Sequence, residues 1–226
     1  MTEFKNIAII PARGDSKRLP GKNIKVLGDH PLVAHSILYA KRFPDIINKI
    51  IVSTDDDRIA EVAKSYEADV CMRPKELALD NEPIITALQH TLQSFSESIN
   101  DVFLLQPTNP LRPFKLLPDV FKKYVESDSK SLVTVSLLKE KFGHVLNNKF
   151  TPANYYFGQR SQDLKPLYKE NGLLYIIKSK AIIEGKILTD DNQAYITNSP
   201  FDNVDIDVET DFHFAEVLLK KYSYEL

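Results

Sequence analysis

The chain contains very little cysteine, and this scarcity limits the chemistry open to it. Cys71 is the only cysteine, so neither an intramolecular disulfide nor a cysteine-ligated zinc cluster can form. The lack of disulfides is typical of the reducing cytoplasm, which is the compartment we predict. Cys71 itself lies in a short apolar stretch, and we expect a small buried side chain there and not a nucleophile.

Features that would direct the chain to membranes or nucleic acids are also missing. No run approaches the roughly 18 apolar residues that span a bilayer, and the first five residues contain no apolar signal segment. The formal net charge of −2 offers no general attraction to nucleic acid or to an anionic membrane surface. We therefore expect no membrane and no nucleic acid as partner. The 226 residues, 43% hydrophobic and 27% charged, predict one soluble domain over residues 1–226.

The common nucleotide-binding motifs are absent as well. Gly21-Lys22 is followed by Asn23 and not by Ser or Thr, so the chain has no P-loop. The dinucleotide pattern Gly-x-Gly-x-x-Gly does not occur, and neither do internal repeats or low-complexity stretches. A nucleotide would therefore have to be bound by a different kind of loop.

A cation-rich loop follows the first apolar run. Residues 7–10 are apolar and rich in isoleucine, which predicts a strand buried on both faces. The loop after it contains the cations Arg13, Lys17, Arg18 and Lys22. Gly14 and Gly21 let a ligand approach the backbone, and Ser16 adds a hydroxyl. Because open α/β sheets bind ligands at the carboxyl ends of their strands, the pattern favours a polyphosphate-binding loop over a solvated basic surface loop.

The rest of the chain alternates between predicted strands and predicted helices. The strands cover residues 7–10, 49–54, 68–72, 101–105, 131–138 and 172–177. Helical periodicity covers residues 31–42, 59–66, 83–92, 116–125 and 210–222. The βαβαβ order at the start predicts parallel strands joined by right-handed crossovers. The expected fold is a three-layer α/β/α sandwich on a mostly parallel, doubly wound sheet.

Residues 139–170 interrupt this alternation. They mix charged residues, Asn and Gly with the aromatic residues Phe142, Phe150, Tyr155, Tyr156 and Phe157. Such a stretch is compatible with a disordered loop, with an arm, or with a hairpin that is buried elsewhere. Exposed apolar side chains usually mark an interface, so we expect an inserted arm that makes contacts outside its own domain.

Two polar stretches follow predicted strands at the same sheet edge as the cation-rich loop. Arg73 and Asp80 lie after the third strand, where a ligand contact and a structural Arg–Asp pair are alternatives. Gln106 and Arg112 flank a proline-containing segment after the fourth strand. The amide of Gln106 can bind a polar sugar. Arg112 could clamp a carboxylate or a phosphate, or could instead form a capping salt bridge.

An acidic pair lies near the carboxyl terminus. Apolar and acidic residues alternate over residues 204–211, which predicts a strand with Asp205 and Asp207 on one face. Neighbouring carboxylates repel each other unless a cation lies between them, and oxygen ligands beside a phosphate suit Mg²⁺. The alternative is a solvated edge strand followed by a helix cap at Thr210 or Asp211.

These stretches together resemble the acylneuraminate cytidylyltransferase family. The segment from Ile9 to Ile24, Ile-Ile-Pro-Ala-Arg-Gly-Asp-Ser-Lys-Arg-Leu-Pro-Gly-Lys-Asn-Ile, is similar to the family signature, which has Gly in place of Asp15. The segment Gln-Pro-Thr-Asn-Pro-Leu-Arg resembles the family's Gln-Pro-Thr-Ser-Pro-Leu-Arg, with Asn109 in place of Ser. Lys169 stands where the family commonly has Arg, and the acidic pair resembles its Ile-Asp-Ile-Asp. The resemblance covers nearly the whole chain, in the family's order.

The resemblance implies an activity and its partners. The activity is transfer of CMP from CTP to the anomeric hydroxyl of a nine-carbon α-keto acid sugar, with release of pyrophosphate. Neuraminic, legionaminic and pseudaminic acids all remain open as the acceptor. The implied cofactor is Mg²⁺ on Asp205 and Asp207, and the implied assembly is a homodimer in which the arm of residues 139–170 crosses to the partner.

The resemblance also implies a set of site residues. The nucleotide is expected on Ala12, Arg13, Gly14, Ser16, Lys17, Lys22, Asn23, Arg73 and Asp80. The sugar is expected on Gln106, Thr108, Asn109, Arg112, Arg160, Gln162 and Lys169. Catalytic roles fall to Arg13, Lys22 and Asp207, and no general base is assigned.

Two other functions are compatible with parts of the pattern. A metal-dependent glycosyltransferase of related fold also uses Asp-x-Asp, but its acidic pair typically lies in mid-chain, and it does not need the cation-rich loop. A non-catalytic nucleotide-sensing domain would account for Asp15 and Lys169 as traces of a lost site. The intact Lys22, Gln106 and acidic pair argue against it. Pyrophosphate release from CTP and an acid sugar separates these functions.

Overall fold

The computed structural model describes residues 5–95 and 98–222. Its strands are β1 (Lys5–Pro11), β2 (Val26–Leu27), β3 (His30–Pro31), β4 (Lys49–Thr54), β5 (Asp69–Met72), β6 (Ile99–Leu104), β7 (Ser131–Leu138), β8 (Gly143–Leu146), β9 (Lys149–Pro152), β10 (Leu167–Lys178) and β11 (Gln193–Thr197). Its α-helices are α1 (Leu32–Lys41), α2 (Asp57–Ser65), α3 (Ile84–Gln93), α4 (Leu116–Ser127), α5 (Ser179–Ile183) and α6 (Glu209–Lys221). Short 3-10 turns lie at Lys22–Ile24, Lys75–Ala78 and Ser161–Asp163.

The centre of the fold is a seven-stranded sheet in the order β11-β7-β10-β6-β1-β4-β5. Strand β1 pairs in parallel with β4 and β6, and β4 pairs in parallel with β5. Strand β10 is antiparallel to both of its neighbours, β6 and β7. The other strands therefore all end at the same edge of the sheet, and the predicted mostly parallel sheet is confirmed.

The alternation of side chains along β1 shows why helices cover both faces of the sheet. Ile7 and Ile9 point to one face, Ala8 and Ile10 point to the other, and none is more than 1% exposed. Helices α1, α2 and α4 pack with Ala8 and Ile10, and α3 and α5 pack with Ile7 and Ile9. Cys71 is 5% exposed in the second of these clusters, as predicted. No helix within the described ranges is long and apolar enough to cross a membrane.

Two segments near the carboxyl end differ from the sequence prediction. Strand β11 lies at the edge of the sheet and is buried only at some positions, so its sequence has no apolar run to reveal it. Residues 204–207, predicted as a strand, are irregular. Val204 and Ile206 are buried in a third apolar cluster with Leu111 and Phe212. The alternation therefore marks one buried side of a loop that leads into α6.

Asp211 provides the cap of α6 and supports a first prediction. Its Oδ2 accepts the backbone N–H groups of Asp207 and Val208, both at 2.9 Å. Of the two predicted capping residues, Asp211 thus forms the cap, from inside the first turn. Asp211→Ala should lower the free energy of unfolding by about 0.5–2 kcal/mol. Asp211→Asn keeps an oxygen acceptor and should cost less. Equal losses for both variants in urea titrations would contradict the cap.

His35 on α1 should make the fold sensitive to acid. It is 1% exposed, and its Nε2 donates to the Leu27 carbonyl at 2.9 Å. Burial lowers the pKa of His35 from 6.5 to about 4. The unfolded chain then takes up a proton near pH 6.5 while the folded chain does not. The free energy of unfolding should therefore fall by about 2 kcal/mol between pH 7.5 and pH 5.

Two variants test the histidine. His35→Gln should remove this part of the pH dependence, whatever its effect on stability at neutral pH. His144→Gln, at an exposed position on β8, should keep the wild-type dependence. Urea titrations at a series of pH values measure all three proteins. If wild type and His35→Gln show the same pH dependence, His35 is not the responsible group.

The arm is organised around a β-hairpin. Strands β8 and β9 form a separate two-stranded antiparallel sheet. Asn147 and Asn148 connect them with φ values of 49° and 62°, the left-handed values of a type I′ turn. Val145 and Leu146 are 70% and 73% exposed. Of the three alternatives for this stretch, the structure selects a hairpin whose apolar side chains find little cover within the described part of the chain.

Candidate active site

A cleft lies at the edge of the sheet where the parallel strands end. It has a cavity volume of about 270 Å³, near the lower end of the range of about 300–1,000 Å³ that is usual for small-molecule sites. Its walls include these predicted site residues: Arg13, Lys22, Asn23, Arg73, Asp80, Gln106, Thr108 and Asp207. Four stretches that are far apart in the sequence therefore meet at the sheet edge where α/β proteins bind ligands.

Asp80 holds two cations of the loop. Arg13 Nη1 and Lys17 Nζ lie 2.6 and 2.7 Å from its carboxylate oxygens. The hydrogen bond from Lys17 is the main cause that lowers the pKa of Asp80, and the same contact raises the pKa of Lys17. Because these groups are open to solvent, the ion pairs can exchange partners at little cost. Asp80 thus pairs with Arg13 and Lys17 and not with Arg73, its predicted structural partner, and a phosphate could take the place of Asp80 on both cations.

Asp207 holds the other two cations of the loop. Its Oδ2 lies 2.8 Å from Arg18 Nη2, and its Oδ1 lies 3.1 Å from Lys22 Nζ. Lys22 also donates to the Ile206 carbonyl at 2.8 Å and is 8% exposed. Arg18 was not among the predicted site residues. Its position among the other cations of the loop could have indicated its role. Two carboxylates thus pair with four cations and offset half of their charge, and a bound polyphosphate would have to exchange with these carboxylates.

Gly14, at the start of the loop, lies too close to a neighbouring segment to carry a side chain. The Gly14 N–H donates to Asp55 Oδ1 at 2.9 Å, and a Cβ on Gly14 would lie 2.6 Å from the Cβ of Asp56. Asp15, which replaces a glycine of the family signature, is exposed and is not among the described residues with positive φ. The departure at Asp15 therefore imposes no left-handed backbone strain on the loop.

Three residues predicted to bind the nucleotide mainly shape the loop. Ala12 is fully buried, and Ser16 is 7% exposed. Asn23 donates from its amide to the Arg13 carbonyl at 2.8 Å and also lines the cleft. The bond from Asn23 holds the backbone that carries Arg13 in place beside the cleft.

Arg73 is a cation set into the wall of the cleft. It is 8% exposed. Burial lowers the pKa of Arg73, and the negative charge of Asp55 partly offsets this shift. Its Nε has no hydrogen-bond partner among the described residues. A buried guanidinium nitrogen without a partner is costly, and an anionic or carbonyl oxygen in the cleft would satisfy it. Arg73 therefore remains a candidate contact for a ligand in the cleft.

The structure corrects the predicted role of Arg112. The side chain is 1% exposed. Its guanidinium donates to the Leu173 carbonyl at 2.6 Å, to Ser36 Oγ at 3.1 Å and to the Gln106 carbonyl at 2.8 Å. The predicted clamp on a substrate anion is wrong, because these donors are enclosed and bind the protein itself. Arg112 supports the loop that presents Gln106.

Asn109 is also enclosed and does not line the cleft. It is 3% exposed, and its Nδ2 donates to the carbonyls of Asn171 and Val204 at 3.0 and 2.8 Å. The prediction that it contacts the sugar directly is therefore wrong. Its neighbour Thr108 does line the cleft, so the two residues of this dipeptide have different roles.

Three predicted sugar contacts lie outside the walls of this cleft. Arg160 forms an ion pair with Asp163, 2.8 Å away, and Gln162 is exposed on the arm. Lys169 donates to Asn203 Oδ1 at 2.8 Å. A single chain therefore does not bring these side chains to the cation-rich loop.

The acidic pair has the chemistry of a divalent-metal site. Burial raises the pKa of Asp205, a hydrogen bond from Thr108 opposes this, and the charge of Asp207 raises it further. Burial is thus the main cause of the raised pKa, and the second carboxylate adds to it. Within the described ranges, no group of three or more His, Cys, Asp or Glu is placed to hold a metal. Substrate and water oxygens would therefore have to complete the coordination, as is common for Mg²⁺.

Fold and cleft together define a nucleotidyltransferase, an α/β enzyme with a cation-rich loop and an acidic pair at the carboxyl edge of its sheet. The chain belongs to the cytidylyltransferase family, whose model matches residues 7–225. The predicted family and enzyme class are confirmed, and the glycosyltransferase and sensor alternatives are not supported.

Two relatives of similar length match over almost the whole of their chains. A CMP-N,N'-diacetyllegionaminic acid synthase from Legionella pneumophila is 35% identical over 95% of this chain and 96% of its own. A pseudaminic acid cytidylyltransferase from Campylobacter jejuni is 32% identical over 96% of this chain and 97% of its own. The solved structure of a CMP:2-keto-3-deoxy-manno-octonic acid synthetase with CTP has a TM-score of 0.73 at 13% identity, over 96% of this chain and 99% of that one. This last likeness confirms the fold.

Proposed function

We propose that the protein transfers CMP from CTP to the anomeric hydroxyl of a nine-carbon α-keto acid sugar and releases pyrophosphate. The observation that carries this proposal is the convergence of the cation-rich loop, Gln106, Thr108 and Asp207 on one cleft. The names of two relatives of similar length, which refer to legionaminic and pseudaminic acids, support this class of acceptor.

The residues of the cleft suit a reaction that depends on positioning and charge. In it, the anomeric oxygen bonds to the α-phosphorus of CTP while the bond to pyrophosphate breaks. Such transfer needs alignment and neutralisation of phosphate charge more than covalent help from the protein. Arg13 and Lys17 would leave Asp80 to bind the triphosphate, and Arg18 would likewise leave Asp207. Gln106 and Thr108 lie where they could orient the acceptor.

Asp205 and Asp207 would hold the Mg²⁺ that this function calls for. When bound, the ion would neutralise phosphate charge and polarise the acceptor hydroxyl. In the free protein, Arg18 and Lys22 take up both carboxylate oxygens of Asp207. A triphosphate that attracts these cations would free the carboxylate, so we expect metal and nucleotide to bind cooperatively.

A panel of acceptors tests the proposed function. The purified protein is incubated with CTP, Mg²⁺ and either neuraminic, legionaminic or pseudaminic acid, and pyrophosphate release is measured. We expect one or more of these acids to support release. ATP, GTP and UTP in place of CTP are the controls for the nucleotide. Failure of all three acids, with CTP and Mg²⁺ saturating, would contradict the assignment of the acceptor class.

We also propose that the protein is a homodimer joined through its arm. Arg160, Gln162 and Lys169 lie outside the cleft of their own chain, and the hairpin exposes Val145 and Leu146. Exposed apolar side chains of this kind favour a partner surface. A closed two-fold dimer would cover them and could bring arm residues to the partner's cleft.

The double variant Val145→Ser, Leu146→Ser tests this assembly. We expect dimeric wild type and a monomeric variant, because the variant loses apolar surface that only a partner would cover. Light scattering at working concentrations measures both. Val125→Ser, at a 62% exposed valine on α4, is the matched control and should stay dimeric. Monomeric wild type, or a double variant that remains fully dimeric, would contradict the arm-mediated dimer.

A further inference from the structure

The buried amide of Asn109 links three segments beneath the cleft. It belongs to the loop after β6, and its Nδ2 reaches the Asn171 carbonyl in β10 and the Val204 carbonyl before α6. Thr108 Oγ1 donates to Asn109 Oδ1 at 3.1 Å. The Thr108 hydroxyl also reaches Asp205, so it is the two carbonyls, which can only accept, that orient the amide nitrogen toward them. Asn109 therefore acts on the backbone of other segments and does not itself line the cleft.

The segment it holds is the one that carries the acidic pair. On one side of Asp205, the Val204 carbonyl accepts from Asn109 at 2.8 Å. On the other side, the Ile206 N–H donates to the Thr108 carbonyl at 2.8 Å. Residues 204–207 are irregular and have no strand ladder, so such bonds are what fixes their backbone.

An amide suits this position because it has two donors on one nitrogen. Serine, which the family motif has here, has a single hydroxyl donor and could serve only one of the two carbonyls. The fit to the neighbouring backbone is close as well. Gly172 has a φ of 71°, and a Cβ on it would lie 2.3 Å from Asn109 Oδ1. The glycine thus makes room for the longer side chain of this protein.

We propose that Asn109 is a positioning residue that sets the affinity of Asp205 and Asp207 for a divalent ion without touching ion, nucleotide or sugar. The proposal rests on the proposed function only in assuming that the two aspartates receive such an ion. Without the second donor, the Val204 carbonyl stays buried and unpaired, which favours a shifted backbone at Asp205. Groups that orient metal ligands in this way typically change metal affinity by about 10–100-fold.

The test measures metal binding directly, with Mn²⁺ as the probe in electron paramagnetic resonance titrations of the full chain, with and without CTP. Asn109→Ser should weaken Mn²⁺ binding about tenfold. Asn109→Asp, which keeps the shape but turns an oxygen toward the two carbonyls, should weaken it further or fail to fold. In both folded variants the Ile206 amide should exchange faster with deuterium. With metal saturating, the KM for CTP should stay near the wild-type value.

Asn192→Ser is the matched control for loss of an amide donor. Asn192 donates from its Nδ2 to the Thr189 carbonyl at 2.7 Å and does not line the cleft. Asn192→Ser should lower stability without changing Mn²⁺ affinity. This result would separate the positioning of the acidic pair by Asn109 from a general loss of stability.

The outcomes distinguish this inference from the proposed function. Wild-type Mn²⁺ affinity in folded Asn109→Ser would overturn the inference, and so would a wild type that binds no Mn²⁺. A wild type that releases no pyrophosphate with any acid sugar, but binds Mn²⁺ in a way that depends on Asn109, would refute the proposed function and support the inference.

Discussion

Asp207→Asn is expected to lower CTP-dependent pyrophosphate release by about 100-fold or more, as does loss of a main electrostatic stabiliser in other enzymes. The change removes one negative charge from the acidic pair and keeps the size of the side chain. The amide oxygen can still accept from Lys22, which lies 3.1 Å from Oδ1 in wild type. The free energy of unfolding should therefore change by only about 1 kcal/mol.

The matched control for this prediction is Glu209→Gln. Glu209 lies two residues further along the chain and forms an ion pair with Lys25, so the change of charge is the same at a position outside the cleft. It should keep near-wild-type turnover. Pyrophosphate release is measured over a range of Mg²⁺ concentrations. Normal turnover of Asp207→Asn, or wild-type activity that persists in excess chelator, would show that the acidic pair binds no catalytic metal.

Lys22→Met should raise the CTP concentration needed for half-maximal rate and also lower the maximal rate. Methionine keeps most of the buried stem of the side chain but removes the ammonium group. Two effects then combine, because the triphosphate loses a cation and the Ile206 carbonyl loses its donor at 2.8 Å. The second effect should reduce stability by about 1–3 kcal/mol, the cost of a buried acceptor left without a partner.

Lys25→Met provides the comparison for Lys22. Lys25 is the next cation along the chain and pairs with Glu209 outside the cleft. Its loss should leave the CTP dependence unchanged. CTP binding by calorimetry, together with initial rates, separates affinity from turnover. If Lys22→Met binds CTP and turns over like wild type, the cation-rich loop is a structural feature and not a triphosphate site.

Much of the fold could be predicted because its signals are local. The run at residues 7–10 is buried on both faces in the structure, and such burial selects a continuous apolar sequence. Apolar residues recur at helical spacing in helices such as α1 and α4, because one side of each helix is buried against the sheet. Strand β11 could not be predicted in this way, because at the sheet edge only some of its positions are buried and its sequence has no apolar run.

The candidate site was predictable where residue type and loop position suffice. Arg13, Lys22 and Asp207 line the cleft, as their places at strand ends and near the helix of the carboxyl terminus suggested. The sequence could not show whether a polar side chain turns toward the cleft or into the protein. Arg112 and Asn109 carry the right chemistry for substrate but are satisfied by buried carbonyls, which are contacts between segments distant in sequence.

The sequence by itself therefore determined the central strands of the sheet, the helices that cover it, the chemical class of the site and the family. Each of these depends on the type and spacing of neighbouring residues. Only the tertiary structure decided that Asp80 and Asp207 pair with the loop cations, that the acidic pair lies on an irregular segment, and that a buried amide holds this segment in place. These features arise from long-range hydrogen bonds and ion pairs, for which a sequence shows the donors and acceptors but not the pairing.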